Sequence, residues 1–318
     1  MSPLQTPANL SLKHRCYLGL VRWLAQLPLP LLQTMGGIVG RVVYRVSGSY
    51  RCHFDANLAQ AMGPEAAEQI GPVAQIETGK AIFELPWLWL HPRGEILRTL
   101  RRVEGWQHVQ AARAAGKGIL FLTPHLGCFE ITAQYAASHA DAAPITVLFR
   151  PPRQRWAESI LRYGRTREGM NVAPADLSGV RRLIRALKSG ESVGLLPDQV
   201  PAAGQGAWLP WFGKPAYTMT LAARLAQTGA SVIFAYAERL PKGDGFVLTC
   251  TAPAAPLPLD DLEATAAAIN DNLMALIQRC PTQYLWGYNR YKPPKGSSDG
   301  VPPTESDRPA SAQVESGT

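Results

Sequence analysis

The sequence predicts an α/β protein: a mixed, largely parallel sheet flanked by helices, preceded by an apolar helical anchor at the N-terminus. Three observations carry that prediction. From about residue 100 onward, short runs rich in Val, Ile, Leu and Phe alternate with stretches of helical periodicity. The 318 residues, 46% hydrophobic and 18% charged, suffice for a large buried core. The first 54 residues contain no acid and hold a long apolar segment.

That segment, 16-CYLGLVRWLAQLPLPLLQTMGGIVGRVVYRV-46, comes first in the chain. It is uncharged from Trp23 to Gly40, 18 residues, which is near the lower limit for a helix that spans a bilayer. Pro28 and Pro30 interrupt it, so the expectation is two short apolar helices hinged at "LPLP". Lys13, Arg15, Arg22, Arg41, Arg45 and Arg51 surround them, with Trp23 and Tyr44 set like interfacial aromatics. Spanning the bilayer and dipping into it both remain open, as does a hairpin buried in the protein. No cleavable signal peptide is expected.

Residues 52 to 90 read as helical and end in "ELPWLWL". The runs "RRVEG", "GILFLT", "ITVLF", "SVGLLP", "SVIFAYAERL" and "GFVLTC" read as strands. Helices are expected at about 106–115, 129–140, 152–166, 177–188, 218–228 and 260–279. From about residue 297 the chain is rich in Pro, Ser and Gly with no apolar period, and is expected to be disordered. The expected organisation is therefore an anchoring segment over 1–50, one α/β domain over 51–296, and a tail over 297–318.

Charge is unevenly distributed. The formal net charge is +8, but the tail holds four acids and one Arg, a balance of −3, which leaves +11 on the remainder. Ten basic residues lie between Arg150 and Lys188 against Glu158, Glu168 and Asp176. Such a field suits a phosphate-rich or acidic partner: an anionic membrane, an acidic protein or nucleic acid. Nucleic acid is disfavoured because the aromatics cluster in "PWLWL" and "WLPWF" instead of interleaving with Arg and Lys, and no binding motif is present. The five cysteines are scattered with no C-x-x-C pair, which argues against zinc and against a disulfide framework. No His pair has metal-ligand spacing. The stretch 190-GESVG-194 matches G-x-S-x-G, yet it lies between a helix and a strand in the wrong order for a nucleophile elbow, and all six histidines precede Ser192.

The chemistry concentrates in 116-GKGILFLTPHLGCFE-130. If 118–123 is a strand and 129–140 a helix, His125 lies in the loop at the strand's carboxyl end, where open α/β sheets carry their sites. Glu130 then falls in the first turn of the helix, where the dipole favours its charge. A carboxylate bonded to one imidazole nitrogen strengthens the other as a base. The alternative is an ordinary capping loop with a solvated His. Cys128 is a further candidate nucleophile.

These blocks resemble the late acyltransferases of lipid A biosynthesis, the lauroyl and myristoyl transferases, from about residue 10 to residue 292. The matching pieces, in family order, are "RCHFDANL", "GKGILFLTPHLGCFE", "LFRPPRQRWAESILRYGRTREG", "GVRRLIRALKSGESVGLLPDQ", the stretch 208–240 and "PTQYLWGYNRYK". Where the family usually reads "HFGNWE" this chain reads "HLGCFE". The resemblance implies a glycerolipid-acyltransferase-like fold and direct acyl transfer from a thioester to a hydroxyl of a lipid A precursor, at the cytoplasmic face of the inner membrane. His125 would be the base and Glu130 its partner, with Asp198 in "PDQ" able to share or replace that role. Arg150, Arg153 and Gln199 are candidate substrate contacts. The donor would be carried by acyl carrier protein or coenzyme A, with neither cofactor nor metal required. A relative acting on another glycolipid or lipopeptide, or a non-catalytic membrane-associated homologue, would carry much the same blocks.

Overall fold

The computed structural model describes residues 12–139, 143–149, 158 and 163–296. The expected disordered tail and the candidates Arg150 and Arg153 lie outside the described residues.

The strands are β1 (Leu100–Glu104), β2 (Ile119–Leu122), β3 (Ile145–Phe149), β4 (Met170–Pro174), β5 (Ser192–Leu195), β6 (Gly206–Trp211), β7 (Lys214–Met219), β8 (Ser231–Arg239) and β9 (Phe246–Thr251). Seven of them form one sheet in the order β1-β9-β8-β2-β5-β3-β4. Every pairing is parallel except β8 with β9, so the sheet is mixed and largely parallel, as expected. β2 lies between β8 and β5, with Ile119 opposite both Ser231 and Ser192. The carboxyl ends of β2 and β5 are therefore neighbours, and each feeds a loop with a candidate site residue.

Both faces of the sheet are covered, and the two-residue period of β2 decides which side chain serves which face. Leu120 and Leu122 enter one core with Phe54, Leu58, Leu183 and Leu273. Ile119 and Phe121 enter the other with Val109, Ile131, Leu88 and Leu32. The covering helices are α3 (Gly48–Met62), α9 (Leu177–Lys188), α10 (Leu221–Ala226) and α11 (Leu262–Arg279) on the first face. α5 (Leu85–Leu90), α6 (Arg93–Leu97), α7 (Trp106–Ala114) and α8 (Phe129–Ala136) cover the second.

Besides the short helix α6, the strand β4 and the β6–β7 hairpin are not evident in the sequence. β4 is a five-residue edge strand ending in Pro174, with only Met170 and Ala173 buried, too weak a pattern to stand out. The β6–β7 hairpin was hidden by its prolines. Pro210 pairs with Pro215 next to the hydrogen-bonded Trp211–Lys214 pair that closes the turn. A proline there has no ladder hydrogen bond to lose. The turn itself takes positive φ at Phe212 (49°) and Gly213 (76°), the demand usually met by Asn-Gly.

The N-terminal helices α1 (Leu12–Ala25) and α2 (Leu29–Val46) break at Gln26–Pro28, the expected hinge. α2 then lies on α4 (Pro64–Phe83) at backbone contact. A Cβ on Gly79 would stand 1.9 Å from the Gly36 carbonyl oxygen, and one on Gly40 would stand 2.2 Å from that of Gln75. Only glycine permits this approach. Leu18, Leu29 and Leu32 are buried, whereas the opposite side of the pair exposes Leu20, Trp23, Leu31, Ile38, Val42 and Val46. Among the described residues no helix is long and apolar enough to cross a membrane, so the expected anchor is not supported as a spanning element. Tyr44 is also not free for an interface: its hydroxyl donates to Asp55 at 2.8 Å and its ring packs edge-on against Phe54.

Candidate active site

β2 ends at Leu122, and the chain turns through Thr123 and Pro124 to His125 before α8 begins at Phe129. This six-residue connection is tied down on several sides. The Thr123 amide donates to the Leu195 carbonyl, the Cys128 amide to Ala237 at 2.7 Å, and the Gly127 amide to Gln283 at 3.0 Å. Gly127 has φ 58°, and a Cβ there would meet the Ala237 oxygen at 2.1 Å. The loop crosses the end of β8 at backbone contact, which explains the glycine in "HLGC".

Asp198 follows β5 on the neighbouring strand and reaches the same place. Its Oδ2 accepts the His125 amide N–H at 2.9 Å, and its Oδ1 lies 2.7 Å from His125 Nδ1. The carboxylate is 1% exposed and the imidazole 18%. Burial opposes the Asp198 charge, but the His125 ring and the hydrogen bonds from His125 outweigh it and hold the carboxyl below its ordinary value. An ionised carboxylate on Nδ1 fixes the proton there and leaves the lone pair on Nε2. The Gln199 side-chain nitrogen approaches that nitrogen at 3.3 Å, and the Phe129 ring lies 5.1 Å from the imidazole. A nucleophilic hydroxyl displacing that long Gln199 contact would meet a base already oriented.

Glu130 lies elsewhere. It stands in the first turn of α8, buried, with Arg165 forming a bidentate pair on it through Nη2 and through Nε at 3.1 Å. Burial works against the Arg165 charge, yet the Glu130 carboxylate overcomes it and raises the guanidinium's pKa. The expected His125–Glu130 contact is thus replaced by two pairs, His125 with Asp198 and Glu130 with Arg165. The reason is topological. A carboxylate arriving from the adjacent parallel strand approaches the imidazole from beneath the loop, while the first turn of α8 directs Glu130 toward Arg165. Gln199, a candidate substrate contact from the sequence, lies against the His125 ring. Cys128 is 2% exposed, and burial pushes its thiol well up, so it lacks the thiolate character of a nucleophile.

Three residues of the site were not singled out from the sequence: Arg165, Gln283 and Tyr284. Burial first, then the charge of Asp198, pushes the Tyr284 phenol well up. Arg290, also buried beside Asp198, is held by the Tyr217 carbonyl at 2.8 Å and by the Thr218 hydroxyl oxygen at 2.7 Å. The only sequence signal for these residues was their place in the blocks "YGRTREG" and "PTQYLWGYNRYK". Among the described residues no group of His, Cys, Asp and Glu could hold a metal ion.

The family model for bacterial lipid A biosynthesis acyltransferases matches residues 10–293. A lipid A biosynthesis lauroyltransferase of Escherichia coli (strain K12) is 29% identical over 294 residues, covering 90% of this chain and 93% of the relative. A lipid A biosynthesis palmitoleoyltransferase from the same organism is 27% identical over 287 residues, 86% and 89% of the two chains. A lipid A biosynthesis acyltransferase of Haemophilus influenzae is 24% identical over 288 residues, 87% and 89%.

Proposed function

Because the chain belongs to the bacterial lipid A biosynthesis acyltransferase family, we propose that it transfers a fatty acyl chain from a thioester to a hydroxyl of a lipid A precursor, with His125 as general base. The observation that carries the site assignment is the part-buried imidazole whose Nδ1 is fixed by Asp198 and whose Nε2 has the long Gln199 contact. In the reaction, Nε2 accepts the proton of the attacking hydroxyl as its oxygen adds to the thioester carbonyl. The new C–O bond stays and the C–S bond breaks. The imidazolium returns the proton to the leaving thiolate, so the protein ends unchanged. Asp198 holds the ring and stabilises its charged form. A thioester is already activated, so neither metal nor covalent intermediate is needed. Glu130 is proposed to serve the site through Arg165, the part-buried cation paired with it at the first turn of α8. Gln199 is proposed to contact the incoming hydroxyl. Arg150 and Arg153 are proposed phosphate or oxyanion contacts.

The donor is proposed to be carried by acyl carrier protein, with the coenzyme A thioester as the alternative. In support, α9 turns Arg181, Arg182, Arg185 and Lys188 outward with no acid on the same face, a surface suited to an acidic partner. The proposed location is the cytoplasmic face of the inner membrane. The exposed apolar side of α1 and α2, with Trp23 54% and Ile38 61% accessible and Arg41 and Arg45 alongside, suits a helix pair lying in an anionic leaflet. The test is mass spectrometry of a lipid A precursor incubated with the purified protein and acyl thioesters. The expected result is a mass increase of one acyl group, lost in His125→Ala. A folded His125→Ala protein that acylates at the wild-type rate overturns the assignment.

A further inference from the structure

The segment around Gln283 is bonded to the His125 loop and to β8 at once. The Gly127 amide donates to the Gln283 carbonyl at 3.0 Å, the Leu285 amide donates to the His125 carbonyl at 3.3 Å, and Leu126 and Tyr284 form an antiparallel bridge. The Gln283 side chain completes the arrangement. Its Oε1 accepts the Arg239 amide N–H at 2.8 Å and its Nε2 donates to the Arg239 carbonyl at 2.8 Å, so the amide acts as one more rung beside β8. Gln283 is 6% exposed, and every polar group of its amide that needs a partner has one in this single residue. The next residue, Tyr284, is also buried. The charged and titratable groups around Asp198 are then His125, Tyr284 and Arg290.

We infer that Gln283–Leu285 is a positioning clasp for the base: Gln283 fixes where the His125 loop sits relative to β8, and the bridges from Tyr284 and Leu285 hold the loop from its other side. The inference rests on the reading of His125 as the base. Gln283 does not need to touch substrate. It acts through the loop backbone, where a displacement of about 1 Å is enough to cost up to 10²-fold in rate.

The experiment compares purified full-length His125→Ala, Gln283→Ala and Gln283→Met with wild type, by kcat, KM for both substrates and thermal melting. Gln283→Ala is expected to lose about 10-fold or more in kcat with KM within about twofold. Gln283→Met fills the same space without the amide rung, and is expected to lose kcat in the same way while melting closer to wild type. A purely structural role would lower the melting temperature and leave the kcat of the folded fraction in place. If His125→Ala is inactive while the folded Gln283 variants keep wild-type kcat, the clasp is overturned and the base stands. If His125→Ala is active, both fall. Should Gln283→Ala not fold, the kcat of Gln283→Met decides alone.

Discussion

Two buried charge pairs, both built on a residue at the end of a central strand, have opposite characters. At the end of β8, Arg239 is 1% exposed and all its outward donors are taken: Nε by Glu84 at 2.9 Å, Nη1 by Glu77 at 2.8 Å, and Nη2 by Glu84 at 2.5 Å. Gln33 adds a further bond to Glu84. Burial opposes the guanidinium, but the two carboxylates hold its proton more firmly still. At the ends of β2 and β5, Asp198 is equally buried, but its partner is an imidazole that is 18% exposed and whose Nε2 has a long contact with the neutral Gln199 amide. The first pair is a closed ionic knot tying α4 to β8. The second leaves a proton acceptor whose present contact is displaceable. Burial of a charge therefore says little about function here; the open valence does.

Breaking the closed pair should produce the largest effect. Arg239→Ala leaves Glu84 buried without its cation and Glu77 with Lys80 alone, and the expected cost is about 3–5 kcal/mol of folding stability. Urea or thermal unfolding measures it; a loss under about 1 kcal/mol would show that water reaches those carboxylates. Glu130→Ala isolates Arg165 in the same way, but that side chain is 19% exposed and can turn toward water. A smaller loss, about 1–3 kcal/mol, is expected together with reduced acylation. Unchanged stability would mean that Glu130 has no structural share in the site.

These differences also explain what the sequence could reveal. The α/β layers were legible because β2, β3, β5, β8 and β9 are apolar runs and α9 and α11 are strongly periodic, and these patterns survive in any alignment of neighbours. His125 was legible because Pro-His after a buried strand is unusual. Its partner was ambiguous because Asp198 is 73 residues away, and only the pairing of β2 with β5 brings the two together. Sequence spacing favoured Glu130, which is near in the chain but directed to Arg165. The clasp at Gln283 was invisible for the same reason, since its bonds reach Gly127 and Arg239 through the fold and leave no local pattern.

Smaller effects sharpen the contrast between the sealed interior and the apolar outer side of α1 and α2. Replacing Ile38 and Val42 by Asp removes exposed apolar area without touching a packed face, so melting should change little, by about 0.5 kcal/mol or less. Binding to vesicles containing anionic lipid should nevertheless drop severalfold, as a sedimentation assay would measure. Full retention of vesicle binding would assign membrane contact to another surface. The smallest expected effect is in acid. Asp198 has its pKa lowered from 3.8 in the folded protein, so its bonds contribute stability above that ordinary value and lose it as pH falls through the lower folded one. The melting difference between wild type and Asp198→Asn should accordingly be present at pH 6 and shrink below pH 4. A difference that grows in acid would mean that Asp198 is protonated in the native state.

The most direct measurement is the single-turnover acyl-transfer rate of purified Asp198→Asn, with its fold verified by circular dichroism. An amide in that position preserves shape but cannot stabilise the imidazolium or select its tautomer. The arrangement at His125 predicts a fall of about 10² to 10⁴-fold. A folded Asp198→Asn protein turning over at the wild-type rate would contradict the assignment of Asp198 as the partner of the base.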